Sequence, residues 1–344
     1  MSVPRLELAP GYTVSRLIKG GWQLAGGHGP VDERAALDDM AAFVDAGITA
    51  FDCADIYTGV ESLIGRFLRS RPSSATPVQV HTKYVPDLAA LTTTTGADVA
   101  RAIDRSLSRL GVERLDLVQF HWWDYDVPRY IDVALELVRM QAAGKIRLIG
   151  LTNFDTARVE ALGAAGVPIS SHQVQYSLLD RRPETTMVPA CRARGISLLC
   201  YGSLAGGFFS DRWLGQPEPL FPHENRSLTK YHLIIGEFGG WALFQELLRT
   251  LGAVARRHNV AVGSVAIRHV LDCPQVGAAI VGATSTRHLA STLQAATLAL
   301  TDEDRRAIDA VLARATGPAG DVYALEREKG GRHARIMRYE LNQT

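Results

Sequence analysis

The stretch Gly47-Ile-Thr-Ala-Phe-Asp52-Cys-Ala-Asp-Ile-Tyr57 carries the architecture of the chain in miniature. A helical pattern ends in glycine, which adopts the left-handed conformation that closes a last turn at little cost. A short apolar run follows, and polar residues end it. A nearly continuous apolar run is the pattern of a parallel strand covered on both faces. The same punctuation recurs at Gly111 before Val-Glu-Arg-Leu-Asp-Leu-Val and at Gly144 before Lys-Ile-Arg-Leu-Ile-Gly-Leu. It recurs again at Gly166, and at Gly195 before Ile-Ser-Leu-Leu-Cys.

The segments between these runs are amphipathic. Leu37, Met40, Ala41 and Val44 share one helical face, as do Val99, Ile103 and Leu107. Asp155 stands where an N-cap belongs, after Thr152-Asn153-Phe154. Thr301 and Asp304 have capping-box spacing ahead of Ile308, Val311 and Leu312. Eight strands are expected near 17–24, 49–56, 77–84, 115–122, 145–152, 171–177, 196–202 and 276–283. Strands alternating with helices give parallel strands joined by right-handed crossovers. Eight of them favour a closed (β/α)8 TIM barrel in an α/β single domain over an open doubly wound sheet. No Gly-x-Gly-x-x-Gly follows an early strand, which weakens the open nucleotide-binding alternative. The expected domain is 1–344, with its core at about 13–314.

Two segments break the rhythm. Residues 207–240 form a long loop after strand seven, carrying Phe208, Phe209, Trp213, Phe221 and Tyr231. Long loops in compact domains are commonly functional. Residues 315–344 form a C-terminal extension with five basic residues, Arg327, Lys329, Arg332, Arg335 and Arg338. It is expected either as a solvated extension packed on the barrel or as a border of the substrate mouth.

The bulk composition narrows the function classes. The 344 residues are 47% hydrophobic and 21% charged, with a net charge of +1, so nothing electrostatic points to nucleic acid or an anionic membrane. Cys53, Cys191, Cys200 and Cys273 show no paired spacing, which argues against a zinc site or a disulfide scaffold and fits a reducing compartment. No long apolar run suggests a leader or a membrane span, so the expected location is the cytoplasm.

Barrel chemistry sits where strands end, on the face built from the βα loops. There an acid, a phenol, an amine and an imidazole converge: Asp52, Tyr57, Lys83 and His121. Each alone has a structural explanation, as a satisfied carboxylate, a packed aromatic, a snorkelling amine or a core histidine. Together they compensate one another, because a buried Lys or Asp needs a partner. Lys83 paired with Asp52 stays charged, and beside Tyr57 it is expected to lower the phenol toward neutrality, making it a general acid. His121 is expected to hydrogen-bond a substrate carbonyl oxygen. With no metal-ligand cluster, a nicotinamide is the economical reductant.

At these residues the sequence resembles the aldo-keto reductase superfamily, from Gly20-Gly21-Trp22 to about Leu293. The run 47–57 followed by Glu61-Ser-Leu-Ile-Gly65 looks like the family's active-site signature. The resemblance implies that Tyr57 is the acid/base, that Lys83 and Asp52 tune it, and that His121 positions the carbonyl. It implies that Thr152, Asn153 and Gln173 hold the nicotinamide carboxamide, and that Tyr201 stacks on the ring. Gly21, Trp22, Asp52, Gly202, Ser203, Leu204, Gly282, Ala283, Thr284, Arg287 and His288 complete the implied cofactor contacts. Trp22, Tyr57, His121 and Trp122 are the implied substrate wall, for a small carbonyl or alcohol.

One departure stands out in Ile280-Val-Gly-Ala-Thr-Ser-Thr-Arg-His-Leu. The family places a cation early in this segment to grip the adenosine 2′-phosphate, where this chain has Gly282 and Thr284. Arg287 and His288 are the nearby basic groups, so NADP(H) is favoured and NAD(H) stays possible. Two competing readings are a Schiff-base lyase acting through Lys83 and a nicotinamide-binding regulatory subunit with little turnover. The chain is expected as a monomer or homo-oligomer.

Overall fold

The computed structural model describes residues 3–223 and 225–342. The chain opens with an antiparallel hairpin, β1 (Arg5–Ala9) and β2 (Tyr12–Ser15). Eight parallel strands then close into a barrel in the order β10-β3-β4-β5-β6-β7-β8-β9. They are β3 (Leu17–Gly20), β4 (Ala50–Asp52), β5 (Gln79–Tyr84), β6 (Leu115–Phe120), β7 (Ile146–Thr152), β8 (Ile169–Gln175), β9 (Ser197–Tyr201) and β10 (Val276–Gly282). Each lies within or beside its expected range. The first is shorter than expected, because Trp22–Leu24 turn into a 3-10 helix.

The connecting helices form the outer layer. They are α1 (Glu33–Asp45), α2 (Val60–Ser70), α3 (Gly96–Leu110), α4 (Tyr130–Ala142), α5 (Thr156–Ala164) and α6 (Met187–Arg194). After β9 come α7 (Arg226–Phe238), α8 (Gly240–His258) and α9 (Val262–Asp272). After β10 come α10 (Leu289–Thr297), α11 (Asp302–Leu312) and the short α12 (Ala324–Arg327). Asp155 caps α5 by accepting from the Arg158 N–H, and Thr301 and Asp304 form the full capping box on α11. Gly111 and Gly195 close their helices with positive φ.

The hairpin has no counterpart in the sequence reading, which placed no element before residue 17. Its Leu8, Tyr12 and Val14 pack with Ile18, Ala50, Leu117, Leu199 and Ala278, filling the barrel interior. The Tyr12 hydroxyl meets His81 Nε2 at 3.2 Å. This plug closes the end opposite the strand C-termini, which leaves the chemistry to the other face.

The segment 207–240 is more ordered than the expected loop. α7 occupies its second half, and Phe208, Phe209, Ile234, Ile235 and Phe238 pack with Phe244, Leu247 and Leu248 of α8 in a second apolar core. Its aromatic residues therefore serve two purposes: Phe208 and Phe209 are buried, while Phe221 is half exposed.

The signature residues Glu61 and Gly65 have a packing explanation. Buried Glu61 accepts from the Thr82 hydroxyl at 2.6 Å and pairs with Arg109 at 3.2 Å, tying α2 and α3 to β5 beside Lys83. A Cβ on Gly65 would lie 2.3 Å from the Arg109 carbonyl oxygen and 2.8 Å from that of Leu110. Backbone cannot yield as a flexible side chain does. Gly65→Ala is expected to cost roughly 1–3 kcal/mol by overpacking, read as a lower thermal midpoint; an unchanged midpoint would show that α3 moves freely.

Candidate active site

Asp52 ends β4, Lys83 lies one residue before the end of β5, and His121 follows β6. Parallel register aligns these strand ends, pairing Asp52 with His81 and Lys83 with Gln119. The Lys83 ammonium reaches Asp52 Oδ2 at 2.6 Å and the Cys53 carbonyl oxygen at 2.8 Å. Both side chains are buried. The other oxygen, Asp52 Oδ1, accepts from the side-chain amides of Gln119 at 2.9 Å and Gln173 at 2.6 Å. A buried charge pair survives when its remaining lone pairs and protons are satisfied in this way. Burial pulls the Lys83 pKa down, but Asp52 and then Tyr57 outweigh it, and the amine is held above the usual lysine range.

Tyr57 lies beside this pair, with the Lys83 ammonium 4.9 Å from its ring centroid. Trp22 packs edge-on against it at 5.1 Å. Burial raises the phenol above its ordinary value, and the lowering by Lys83 does not offset it. The expected drop toward neutrality is therefore corrected: desolvation wins over one nearby cation. Tyr57 holds its proton, which suits an acid.

His121 is buried, and burial followed by the Arg327 charge pulls its pKa down to about 3. Its Nδ1 lies 3.0 Å from the Thr152 carbonyl oxygen. A carbonyl only accepts, so Nδ1 carries the proton, and in the neutral ring Nε2 is bare. That Nε2 is buried and finds no partner among the described residues. It can accept from an alcohol hydroxyl; it cannot donate to a carbonyl oxygen, as the sequence reading expected.

These groups floor a cavity of about 820 Å³ at the strand C-termini. Its wall includes Trp22, Tyr57, Lys83, His121, Thr152, Asn153, Gln173, Tyr201, Gly202, Ser203 and Leu204. Gly282, Ala283, Thr284 and His288 also line it. Gly21 lies just behind, where a Cβ would come within 2.8 Å of the Asp52 carbonyl oxygen. Asn153 takes a positive φ of 62° and accepts from the Tyr201 hydroxyl at 2.8 Å.

One expected contact is corrected. Trp122 faces the core instead of the cavity: it is buried, packs on Phe120, and donates its indole N–H to the Asp124 and Val127 carbonyls at 2.9 Å. Its neighbour Trp123 lines the cavity, edge-on to His121 at 4.3 Å. Arg287 is exposed and lies outside the cavity wall, while Ser285 and His288 of the same segment line it. Sequence reasoning also missed Gln119, which strand alternation from His121 would have found. It missed Tyr323 and Arg327 of the tail as well. Arg327 donates to the Asn153 and Trp122 carbonyls, each at 2.7 Å, and Tyr323 meets the His121 ring edge-on at 5.6 Å. No local signal marks either one. The tail thus borders the mouth, as one of its two expectations held.

The residues fit a nicotinamide dinucleotide. The cavity has the size of a ligand cleft. Besides His121 Nε2, its wall presents Gln23 Oε1 and Ser203 Oγ, both buried without a partner among the described residues. Gly202 and Gly282 let neighbouring side chains of the wall approach closely, since a Cβ would come within 2.3 Å of the Tyr231 hydroxyl and 2.1 Å of the Gln23 amide, respectively.

Comparison with known proteins agrees with this geometry. The model of the "Aldo/keto reductase family" matches residues 16–313. The chain belongs to that family. It is 28% identical over 313 residues to aldo-keto reductase YhdN of Bacillus subtilis, spanning 88% of this chain and 91% of that one. It is 27% identical to the Schizosaccharomyces pombe aldo-keto reductase yakc [NADP(+)], over 79% of this chain and 80% of that one. The glycerol dehydrogenase AKR11B4 of Gluconobacter oxydans superposes with a TM-score of 0.78 at 25% identity, covering 93% of this chain and 98% of that one. The chain is accordingly an oxidoreductase of a family that uses nicotinamide cofactors. Among the described residues no helix is long and apolar enough to cross a membrane.

Three buried imidazoles make stability depend on pH. His81 is pulled down to about 4, and His121 and His172 to about 3, in each case mainly by burial. Between those values and the ordinary histidine pKa, the unfolded chain binds protons that the folded chain does not, so stability rises with pH. Asp55, pushed up to about 8 by burial and then Glu61, works the other way, as does Asp116, raised by burial, while His28, His223 and His269, lowered by burial, add to the effect of the three rings. Urea midpoints are expected to fall from pH 6.5 to pH 5, and His81→Gln should flatten that slope. A midpoint that rises on acidification would contradict the burial of these rings.

Proposed function

We propose that this aldo-keto reductase interconverts a carbonyl and its alcohol, with Tyr57 as the general acid/base. The observation that carries the reading is a protonated Tyr57 beside an ammonium that Asp52 keeps charged, in a cavity into which His121 brings an Nε2 without a partner among the described residues. A nicotinamide would be held by Thr152, Asn153, Gln173, Tyr201 and the 282–288 segment. When bound, it supplies or accepts the hydride at the carbonyl carbon.

The protein moves the matching proton. In reduction, Tyr57 Oη gives its proton to the substrate oxygen, so hydride plus proton completes the alcohol. Lys83 then stabilises the phenolate, because a buried ammonium close to a new anion acts with little screening. In oxidation the phenolate takes the hydroxyl proton back. The hydroxyl has a single proton, so the bare Nε2 of His121 accepts from it only while Tyr57 is itself protonated and donates to the alcohol oxygen; that pair of bonds orients the alcohol. An alcohol held in this way is in keeping with the similarity to a glycerol dehydrogenase. Trp22 and Trp123 wall the site with apolar surface and exclude water.

The lyase alternative is disfavoured by the same pair. A Schiff-base lysine must be unprotonated to attack, whereas Asp52 holds Lys83 charged. For the cofactor, NADP(H) is the preferred reading. Ser285 and His288 line the cavity where the 2′-phosphate would sit, and the exposed Arg287 guanidinium is within the same turn.

Tyr57→Phe is expected to cut carbonyl reduction by about 10²–10⁴-fold, the worth of a general acid, while nicotinamide binding by calorimetry is nearly unchanged. Retained turnover would sink the assignment. Arg287→Ala is expected to weaken NADPH more than NADH. An equal effect on both cofactors would place the 2′-phosphate elsewhere or leave it unused.

A further inference from the structure

We infer that the catalytic cavity takes carbonyl or alcohol substrates bearing an oxyanion, a carboxylate or a phosphate, received by Arg335, Arg338 and Arg226. This rests on the reductase reading and names its substrate class.

The five basic residues of the tail divide into two groups. Arg327 spends its guanidinium on the Asn153 and Trp122 carbonyls. Lys329 pairs with Asp126 at 2.6 Å and Asp124 at 3.3 Å. Arg332 pairs with Glu237 at 2.6 Å. The remaining two, Arg335 and Arg338, form no side-chain hydrogen bond or ion pair among the described residues, and both line the catalytic cavity. The cations left without partners are thus the ones at the mouth.

Arg226, from the start of α7, joins them. It donates to the Ile336 carbonyl oxygen at 2.9 Å and lies over the Trp22 ring at 5.8 Å. Trp22 in turn touches Tyr57. Burial, and then the charge of Arg338, lowers the Arg226 pKa, so the two guanidiniums repel. Among the described residues no carboxylate pairs with them, and Asp52 is the one acid in the cavity wall, already claimed by Lys83 and two amides. Glu326 lies behind Arg182 and Lys230, and Glu340 accepts from the Ala89 N–H. Like charges gathered without counter-charge are unfavourable until an anion arrives, and a guanidinium fork matches carboxylate and phosphate oxygens.

The tail places these charges on the substrate half. Tyr339, next to Arg338, meets Trp123 edge-on at 5.1 Å, and Trp123 meets His121 at 4.3 Å. The segment 282–288 forms a separate stretch of the wall.

The test compares matched aldehydes: 4-carboxybenzaldehyde against its methyl ester, and 4-formylphenyl phosphate against 4-hydroxybenzaldehyde. The wild type is expected to favour the anion in at least one pair by about tenfold or more in kcat/KM, and to lose the preference as salt rises. The pair that shows it identifies carboxylate or phosphate. Arg338→Ala and the Arg335→Ala/Arg338→Ala double variant should shrink the ratio toward one. Lys329→Ala, which removes the same charge outside the cavity, should keep it. Binding of terephthalate against its dimethyl ester to the NADPH complex, by calorimetry, reads recognition without turnover. If no aldehyde turns over but terephthalate binds and Arg338→Ala abolishes that binding, the reductase reading falls and the anion site stands. Equal treatment of both members of each pair, together with equal binding, overturns the anion site. So does an effect of the arginine variants on NADPH affinity alone, which would assign these groups to the cofactor.

Discussion

The Lys83–Asp52 pair is the constraint around which the catalytic face is built. Two full charges lie out of water at the end of the barrel, 2.6 Å apart. Such a pair costs several kcal/mol in desolvation unless every remaining lone pair and proton is met. Gln119, Gln173 and the Cys53 carbonyl meet them, which recruits β6, β8 and the β4 loop to one point. Glu61 and Arg109 support β5 from the helix layer. The charge so maintained acts on Tyr57. Burial keeps the phenol protonated, and the ammonium works against that rise without offsetting it.

His121 shows how a tautomer decides a role. One hydrogen bond to the Thr152 carbonyl places the proton on Nδ1 and leaves Nε2 as an acceptor. Arg327 reinforces this by clamping the carbonyls of Trp122 and Asn153 on either side, and its charge opposes protonation of the ring. The tail, through Tyr323 and residues 335–338, is therefore part of the cavity wall. A buried ionic cluster holds it there: Glu326 of α12 lies 3.5 Å from Arg182 and 3.2 Å from Lys230, joining the tail to the barrel and to α7.

The sequence by itself determined the barrel and the strand-end tetrad. Glycine-punctuated apolar runs are local signals, because a parallel strand covered on both faces must be apolar along its length and a helix must end before it. Strand ends share one face in a parallel barrel, so Asp52, Lys83 and His121 could be brought together from order alone, with Tyr57 in the loop that follows. Only the tertiary structure decided the rest. Which of Trp122 and Trp123 faces the cavity depends on how the chain turns after β6. The hairpin plug, α7 in the insert, and the reach of Tyr323 and Arg327 back to His121 rest on contacts between residues far apart in the chain. The Tyr57 pKa depends on desolvation by everything packed around it, which residue order does not encode locally. The same holds for Arg335 and Arg338: five basic residues look alike in the chain, and their surroundings alone separate the three with side-chain partners from the two that have none among the described residues.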